Sequence, residues 1–378
     1  MELTNIFIQV LIFALAVILG YLVPFSRYRI LIISLAFAGL ILGYLYPFMA
    51  NELLFHFVLV LALIFMIFYL AAHFRVKEFD TLSGHALRFA IKTITLCAIL
   101  IGPLAWFLFE GNLFYAVVLV LILIGTDPQT INTSKKKIMY LERFESAFKS
   151  LLSAILVFLL IAMGSSSTHL DLDAAKALDM IIGLGTGIVL SLIYFKSTEK
   201  MKGVMYYFLT ILFSAIVFFI ARALDGNGIL ALAVVGFLFA NMHIKGRKDL
   251  RIIAKRFSRY TLAPVFLLIA FYAAIRFPQN LFDVELLLIA LLLFIVYLII
   301  RFIAVHFSTN GLPLNLKEKI YMVVNNPHGS TPALAVLYLI VYQPESTMLA
   351  AVIIQLLVLS LLISIFVEYV IKGEAWKK

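Results

Sequence analysis

Five residues in an otherwise apolar chain could do chemistry together: Asp127, Glu145, Lys149, Arg301 and His328. Asp127 closes the stretch LILIGTD at residues 121–127 and stands directly before Pro128. An ionised carboxylate in hydrocarbon costs roughly 2.5–3.5 kcal/mol on insertion scales, so it persists only where it has a partner or a task. Binding a dehydrated cation, carrying a proton and acid–base catalysis are the tasks open to it. Lys149 follows Glu145 by one helical turn, in the favourable Glu-to-Lys order, near the middle of its apolar run. Too deep to snorkel easily, it needs an anion, and Glu145 and Asp127 are the candidates. Burial disfavours an ammonium and a neighbouring carboxylate favours it. Lys149 is therefore either a structural ion-pair partner or a proton carrier coupled to cation occupancy of Asp127. His328 could sense pH or donate to a carbonyl released by a nearby proline.

The elements that must position these residues follow from composition. Of 378 residues 64% are hydrophobic and 13% charged, with a mean hydropathy of +1.09, whereas a water-soluble globule carries about 25% charge. The chain reads as an all-α polytopic membrane protein with no segment left for a soluble domain. Thirteen apolar stretches are long enough to span, near 5–23, 30–48, 53–72, 86–108, 113–134, 139–163, 174–195, 203–222, 226–243, 257–277, 282–305, 316–341 and 346–371. The first lacks a basic leader, since Glu2 precedes it, and reads as a retained helix. Lys and Arg gather on alternate loops, leaving Arg222 and Arg276 on the others. The positive-inside rule then puts the N-terminus outside and the C-terminus in the cytoplasm, which an odd number of spans allows. This also accounts for the +10 net charge, through anionic headgroups at the membrane surface and without nucleic acid. Cys97, the single cysteine, excludes an internal disulfide and reads as packing.

Two spans are interrupted in the middle. The fifth carries Gly125-Thr126-Asp127-Pro128, and the twelfth Asn325-Asn326-Pro327-His328-Gly329 with Pro332 beyond. Proline removes an N–H and releases the carbonyl four residues earlier, which at membrane depth is tolerated only beside a cavity or a substitute donor. Paired Gly/Pro-interrupted spans point to a transporter's midplane site. An offset of seven makes the two copies run in opposite directions, giving an inverted 6+1+6 repeat with two broken, crossing helices. Repeat one covers about 5–163, the linking span 174–195 and repeat two about 203–371. GLGTG at 183–187 imitates half a dinucleotide fingerprint, but inside an apolar span with no preceding strand it reads as small residues for close helix packing.

The order GTDPQTI, LERFESAFKSLLSAILVF, GNGILALAVVGFLFAN, SRYTLAPVFLLIAFY and NNPHGSTPALAV resembles the monovalent cation:proton antiporter superfamily, nearest its sodium/proton branch with Thr-Asp-Pro in the broken fifth helix. The resemblance covers essentially the whole chain. It implies a homodimer whose core domain moves like an elevator against an interleaved dimerisation domain, with Thr126 and Asp127 bordering the cation site. It also implies that Glu145 pairs with an Arg of the eleventh span, for which Arg301 is the candidate. Both lie on the cytoplasmic side of their spans' centres, although Arg301 could instead snorkel at a helix end. The sequence departs from the family pattern Glu-Ser-x-x-Asn-Asp: here it reads Glu145-Ser146-Ala147-Phe148-Lys149-Ser150, so the principal carboxylate is missing.

The expected function is secondary active transport, a monovalent cation such as Na⁺ exchanged for protons by alternating access, in the cell membrane. Ion-coupling candidates are Asp127, Thr126, Lys149, Ser150 and Ser146, supported by the Glu145 and Arg301 pair. Pro128, Asn325, Asn326, Pro327 and His328 line the breaks. No cofactor is expected, and no metal beyond the transported cation; the partners are the cation, protons and membrane lipid. A relative moving K⁺ or a small anion is one alternative. An intramembrane enzyme using Asp127 is another, weakened because Glu145 is the only other deep carboxylate in this reading and has two basic neighbours.

Overall fold

The computed structural model describes residues 2–23, 28–47, 52–73, 81–126, 136–162, 174–198, 201, 204–242, 247–310, 312, 314–324 and 328–374. Asp127, Pro128, Asn325, Asn326 and Pro327 lie outside the described residues. Regular structure among the described residues is helical. The chain runs through α1 (Glu2–Leu22), α2 (Tyr28–Leu45), α3 (Glu52–His73), α4 (Thr81–Leu96), a π turn (Cys97–Ile101), α5 (Gly102–Leu108), α6 (Leu113–Ile124) and α7 (Lys136–Ala162). It continues with α8 (Ala174–Thr198), α9 (Val204–Ala223), α10 (Gly228–Asn241), α11 (Arg247–Arg276), α12 (Pro278–Leu281), α13 (Val284–Ser308), α14 (Leu316–Val324), α15 (Ser330–Tyr342) and α16 (Thr347–Glu374). Six helices among the described residues are long and apolar enough to cross a membrane, and seven shorter apolar ones accompany them, one for each expected span.

Short polar residues start the helices. Asn112 accepts from the Tyr115 N–H, Asn227 from Ile229 and Leu230, and Asp283 from Glu285, each satisfying a first-turn donor that the helix cannot. Asn315 and Glu318 cap α14 reciprocally, each side chain accepting from the other's N–H at 2.8 Å. The π turn was not foreseen. It sits just before Pro103, whose missing N–H cannot complete the ladder, and the Gly102 N–H reaches back five residues to the Cys97 carbonyl.

The packing repeats at an offset of seven spans. α2 packs on α11 and, seven spans on, α10 packs on α3; likewise α7 lies on α4 and α16 on α13. Both crossings of the first kind depend on glycine. A Cβ on Gly43 would come within 2.8 Å of Ala274 Cβ, and one on Gly236 within 2.7 Å of Ala71 Cβ and 2.9 Å of the Phe68 carbonyl. The GLGTG stretch also packs a helix. Gly183 and Gly187 share one face of α8 against Asn227 and Ala231 of α10, where a side chain would strike backbone, whereas Gly185 meets open space.

Candidate functional site

The two interrupted spans meet at their breaks. α6 stops at Ile124, and Gly125 turns extended at φ −68°, ψ 113°. In the second copy α14 stops at Val324, and His328 and Gly329 are non-helical before α15 begins. The His328 ring reaches across, its Nε2–H donating to the Leu123 carbonyl at 2.8 Å, while its backbone N–H donates to Ser360 Oγ at 3.2 Å. Gly125 and Thr331 face each other so closely that a Cβ on Gly125 would lie 3.3 Å from Thr331 Cβ. Pro332 falls in the first turn of α15, where its missing N–H has no intrahelical partner to lose.

α7 holds the end of α6 through serines at i, i+4 and i+7. Ser153 donates to the Leu121 carbonyl at 2.6 Å. Ser146 donates to the Thr126 carbonyl and accepts from the Thr126 hydroxyl, both at 2.9 Å. Ser150 also donates to the Thr126 carbonyl, and accepts from the Thr126 N–H at 3.2 Å. Thr126, Ser146 and Ser150 are thus brought together and fully buried. Their hydroxyls are engaged with one another and with backbone, so Ser150, which stands where the family pattern has Asp, clamps the broken helix.

On the same turns of α7, one residue before Ser146 and Ser150, lies the charge. Glu145, Lys149 and Arg301 have no measurable exposure. Lys149 Nζ contacts Glu145 Oε1. Arg301 forks onto the same carboxylate at 3.2 and 3.5 Å, with Nε and Nη2 left for the carbonyls of Met322 at 3.1 and 2.9 Å and Val323 at 3.0 Å. Arg301 therefore does not snorkel: it balances Glu145 and caps the last turn of α14, where the residue four beyond Val323 is Pro327, which has no N–H to offer. Phe89 of α4 lies beneath both cations, its ring centre 5.8 Å from Lys149 Nζ and 5.1 Å from Arg301 Cζ. Cys97 in the π turn is buried beside this cluster.

Glu142, which the sequence reading missed, changes the charge count. It too is fully buried, one turn before Glu145 and in electrostatic reach of Arg301. Glu145 is therefore not the sole deep carboxylate beside Asp127. With their usual charges Glu142, Glu145, Lys149 and Arg301 sum to zero without Asp127, and the described partner of Lys149 is Glu145. The signal was present in the spacing: positions 142, 145, 146, 149, 150 and 153 form one polar stripe that runs on into the apolar part of the helix beyond Lys136, Lys137 and Arg143. At the break, His328 Nδ1 and Thr331 Oγ1 are buried with no partner among the described residues. With its proton on Nε2, His328 presents Nδ1 as an acceptor.

Two interrupted helices meeting beside a buried charge cluster is the arrangement expected of a secondary transporter, and the sequence agrees. The transmembrane model of the sodium/hydrogen exchanger family matches residues 12–372, and the chain belongs to that family. Among solved structures it is similar to the sodium proton antiporter MjNhaP1 from Methanocaldococcus jannaschii at pH 8, with 19% identity and a TM-score of 0.71 over 96% of this chain and 99% of that one. An electron-microscopy structure of the same antiporter gives 16% identity and a TM-score of 0.69 over 97% and 96% of the two chains. No curated protein matches the sequence. The relatives are transporters and not enzymes, and the chain is a multi-pass membrane protein of their fold.

Proposed function

We propose that this protein exchanges a monovalent cation, Na⁺ in the first instance, for protons by alternating access, with Asp127 as the cation-binding carboxylate. The observation that supports this most is the joint burial of Glu142, Glu145, Lys149 and Arg301 beside the break, a set that is neutral when each carries its usual charge. An ionised Asp127, directly after the buried Thr126, finds no spare counter-charge in that set and takes a cation or a proton from outside. Lys149 is the proton carrier. When it gives up its proton Glu145 keeps Arg301, whose guanidinium does not deprotonate. Cation entry at Asp127 with proton loss from Lys149 then leaves the total buried charge unchanged. Ser146 and Ser150 shape the site by fixing Thr126, and the residues at 325–328 line its other side.

In this reading α4–α7 with α13–α16 form the moving core, and α1–α3 with α8–α11 the dimerisation part of a homodimer. The repeats are the segments about 5–163 and 203–371 joined by the span 174–195, in the cell membrane with the N-terminus outside. The test is a proteoliposome assay of proton flux driven by gradients of Na⁺, Li⁺, K⁺ and small anions. Asp127→Asn should abolish exchange while the protein stays folded. With one proton competing, the apparent KM for the cation should rise about tenfold for each pH unit lowered across the titration of the carrier. Lys149→Gln should flatten that dependence. Normal exchange by Asp127→Asn removes Asp127 from the site, and an unchanged pH profile in Lys149→Gln removes Lys149 as the carrier.

A further inference from the structure

At the end of the bundle where α8 and α10 begin and α9 ends, far along the chain from the crossing, a cavity of about 330 Å³ is lined by Lys176, Asp179, Arg222, Asp225 and Asn227, among others. Its walls are fixed. The Asn227 N–H donates to the Asp179 carbonyl at 2.8 Å and the Gly226 N–H to the Ala221 carbonyl at 2.7 Å, while the Asn227 side chain caps α10. Asp225 holds the turn with φ 55°, and a Cβ on Gly226 would lie 3.0 Å from the Gly183 N–H. Arg222, Asp179 and Asp225 line this space, and among the described residues no ion pair closes any of the three onto an opposite charge. Opposite charges held apart around a cavity suit a ligand that carries both signs.

The surroundings say where such a ligand comes from. Phe208, Leu212 and Phe219 are exposed along the face of α9 that ends at Arg222, at 57, 45 and 57%. The stripe from 208 to 222 is about 21 Å long at 1.5 Å per residue, enough to line an acyl chain through one leaflet. We propose that the cavity binds an ethanolamine-phosphate zwitterion, the phosphate on Arg222 and the ammonium on Asp179 and Asp225. Phosphatidylethanolamine supplies that group with its chains along the α9 stripe; free phosphoethanolamine supplies the same group without them. Arg222, one of two basic residues on loops that are otherwise poor in positive charge, thereby acquires a role.

The test is thermal unfolding of the purified protein in detergent, titrated with dioleoyl-phosphatidylethanolamine, dioleoyl-phosphatidylglycerol or soluble phosphoethanolamine, since a ligand of the folded state alone raises its midpoint. The zwitterionic lipid should raise the midpoint saturably and phosphatidylglycerol should not. Arg222→Gln and Asp225→Asn should each weaken half-saturation about tenfold, the factor for losing one charge-assisted contact, with lipid-free midpoints unchanged. Asn tolerates a positive φ, so the second variant keeps the turn. Arg222→Lys should keep the response. A variant-sensitive shift with soluble phosphoethanolamine alone would also support the site, with the free zwitterion as its ligand. Equal responses to the two lipids, an intact response in both variants, or no response to any probe would overturn the proposal.

Discussion

Replacing Arg301 with Met is the sharpest perturbation of the buried network, because Met keeps the apolar stem and removes every donor. Glu145 loses its forked partner, and the carbonyls of Met322 and Val323 lose the donors that Arg301 supplies. Breaking a buried pair by removing one member costs about 3–5 kcal/mol. Each stranded carbonyl adds about 1–3 kcal/mol. Lys149 stays on Glu145 and offsets part of this. A net loss of about 5 kcal/mol is comparable to the whole stability of a typical domain, and at roughly 2 °C per kcal/mol it lowers the melting point on the order of 10 °C. Lys149→Met should cost less than half as much, since Glu145 keeps Arg301. Arg301→Lys should fall between, retaining the charge without the fork. Melting of the three variants in detergent reads the order directly. An Arg301→Met protein melting within about 3 °C of wild type, or a more damaged Lys149→Met, would show that the shared pair is not what holds this crossing.

Other substitutions follow from the same geometry. Gly187→Ala should destabilise by about 1–3 kcal/mol as its Cβ meets the Ala231 carbonyl at 2.7 Å, while Gly185→Ala, which meets nothing, should stabilise by about 0.5–1 kcal/mol, both read as melting shifts. Ser150→Ala removes the Thr126 clamp and should cost about 1–3 kcal/mol, with a larger fractional loss of transport than of folded protein. Phe89→Leu keeps an apolar side chain but loses the ring beneath the two cations and some volume, and should lower stability by about 1–2 kcal/mol. Glu142→Gln leaves the buried set one unit positive, so the apparent KM for Na⁺ should rise several-fold with little change in melting; an unaltered KM would exclude Glu142 from the charge balance.

Much of the architecture was legible because lipid enforces it. Backbone groups in hydrocarbon must be satisfied within the segment, so apolar length marked each helix and Gly/Pro interruption marked each break. The seven-span offset related the fifth span to the twelfth, and the same offset relates the α2–α11 packing to the α10–α3 packing, where Gly43 and Gly236 permit the close approach. Arg301 and Glu145 could be paired through the resemblance, but their exposure could not be read, since a residue near a helix end is equally able to snorkel. Glu142 was hidden by its neighbours: beside Arg143 and close after Lys135–Lys137 it looks like a solvated cytoplasmic end. The spare donors of Arg301 went to Met322 and Val323, contacts between distant segments with no sequence signature. The π turn at Cys97–Ile101 was missed because a proline inside a helix announces disruption without saying which ladder replaces it.

The central claim is that Asp127 binds the cation while Lys149, made expendable by Arg301, carries the proton. Proton flux from proteoliposomes on addition of Na⁺, compared at pH values either side of the half-activity point for wild type, Asp127→Asn and Lys149→Gln, tests it most directly. The account predicts pH-dependent exchange in wild type, none in Asp127→Asn, and in Lys149→Gln cation-dependent stabilisation without pH-dependent flux. Na⁺-driven exchange with an unshifted pH profile in Lys149→Gln would contradict it.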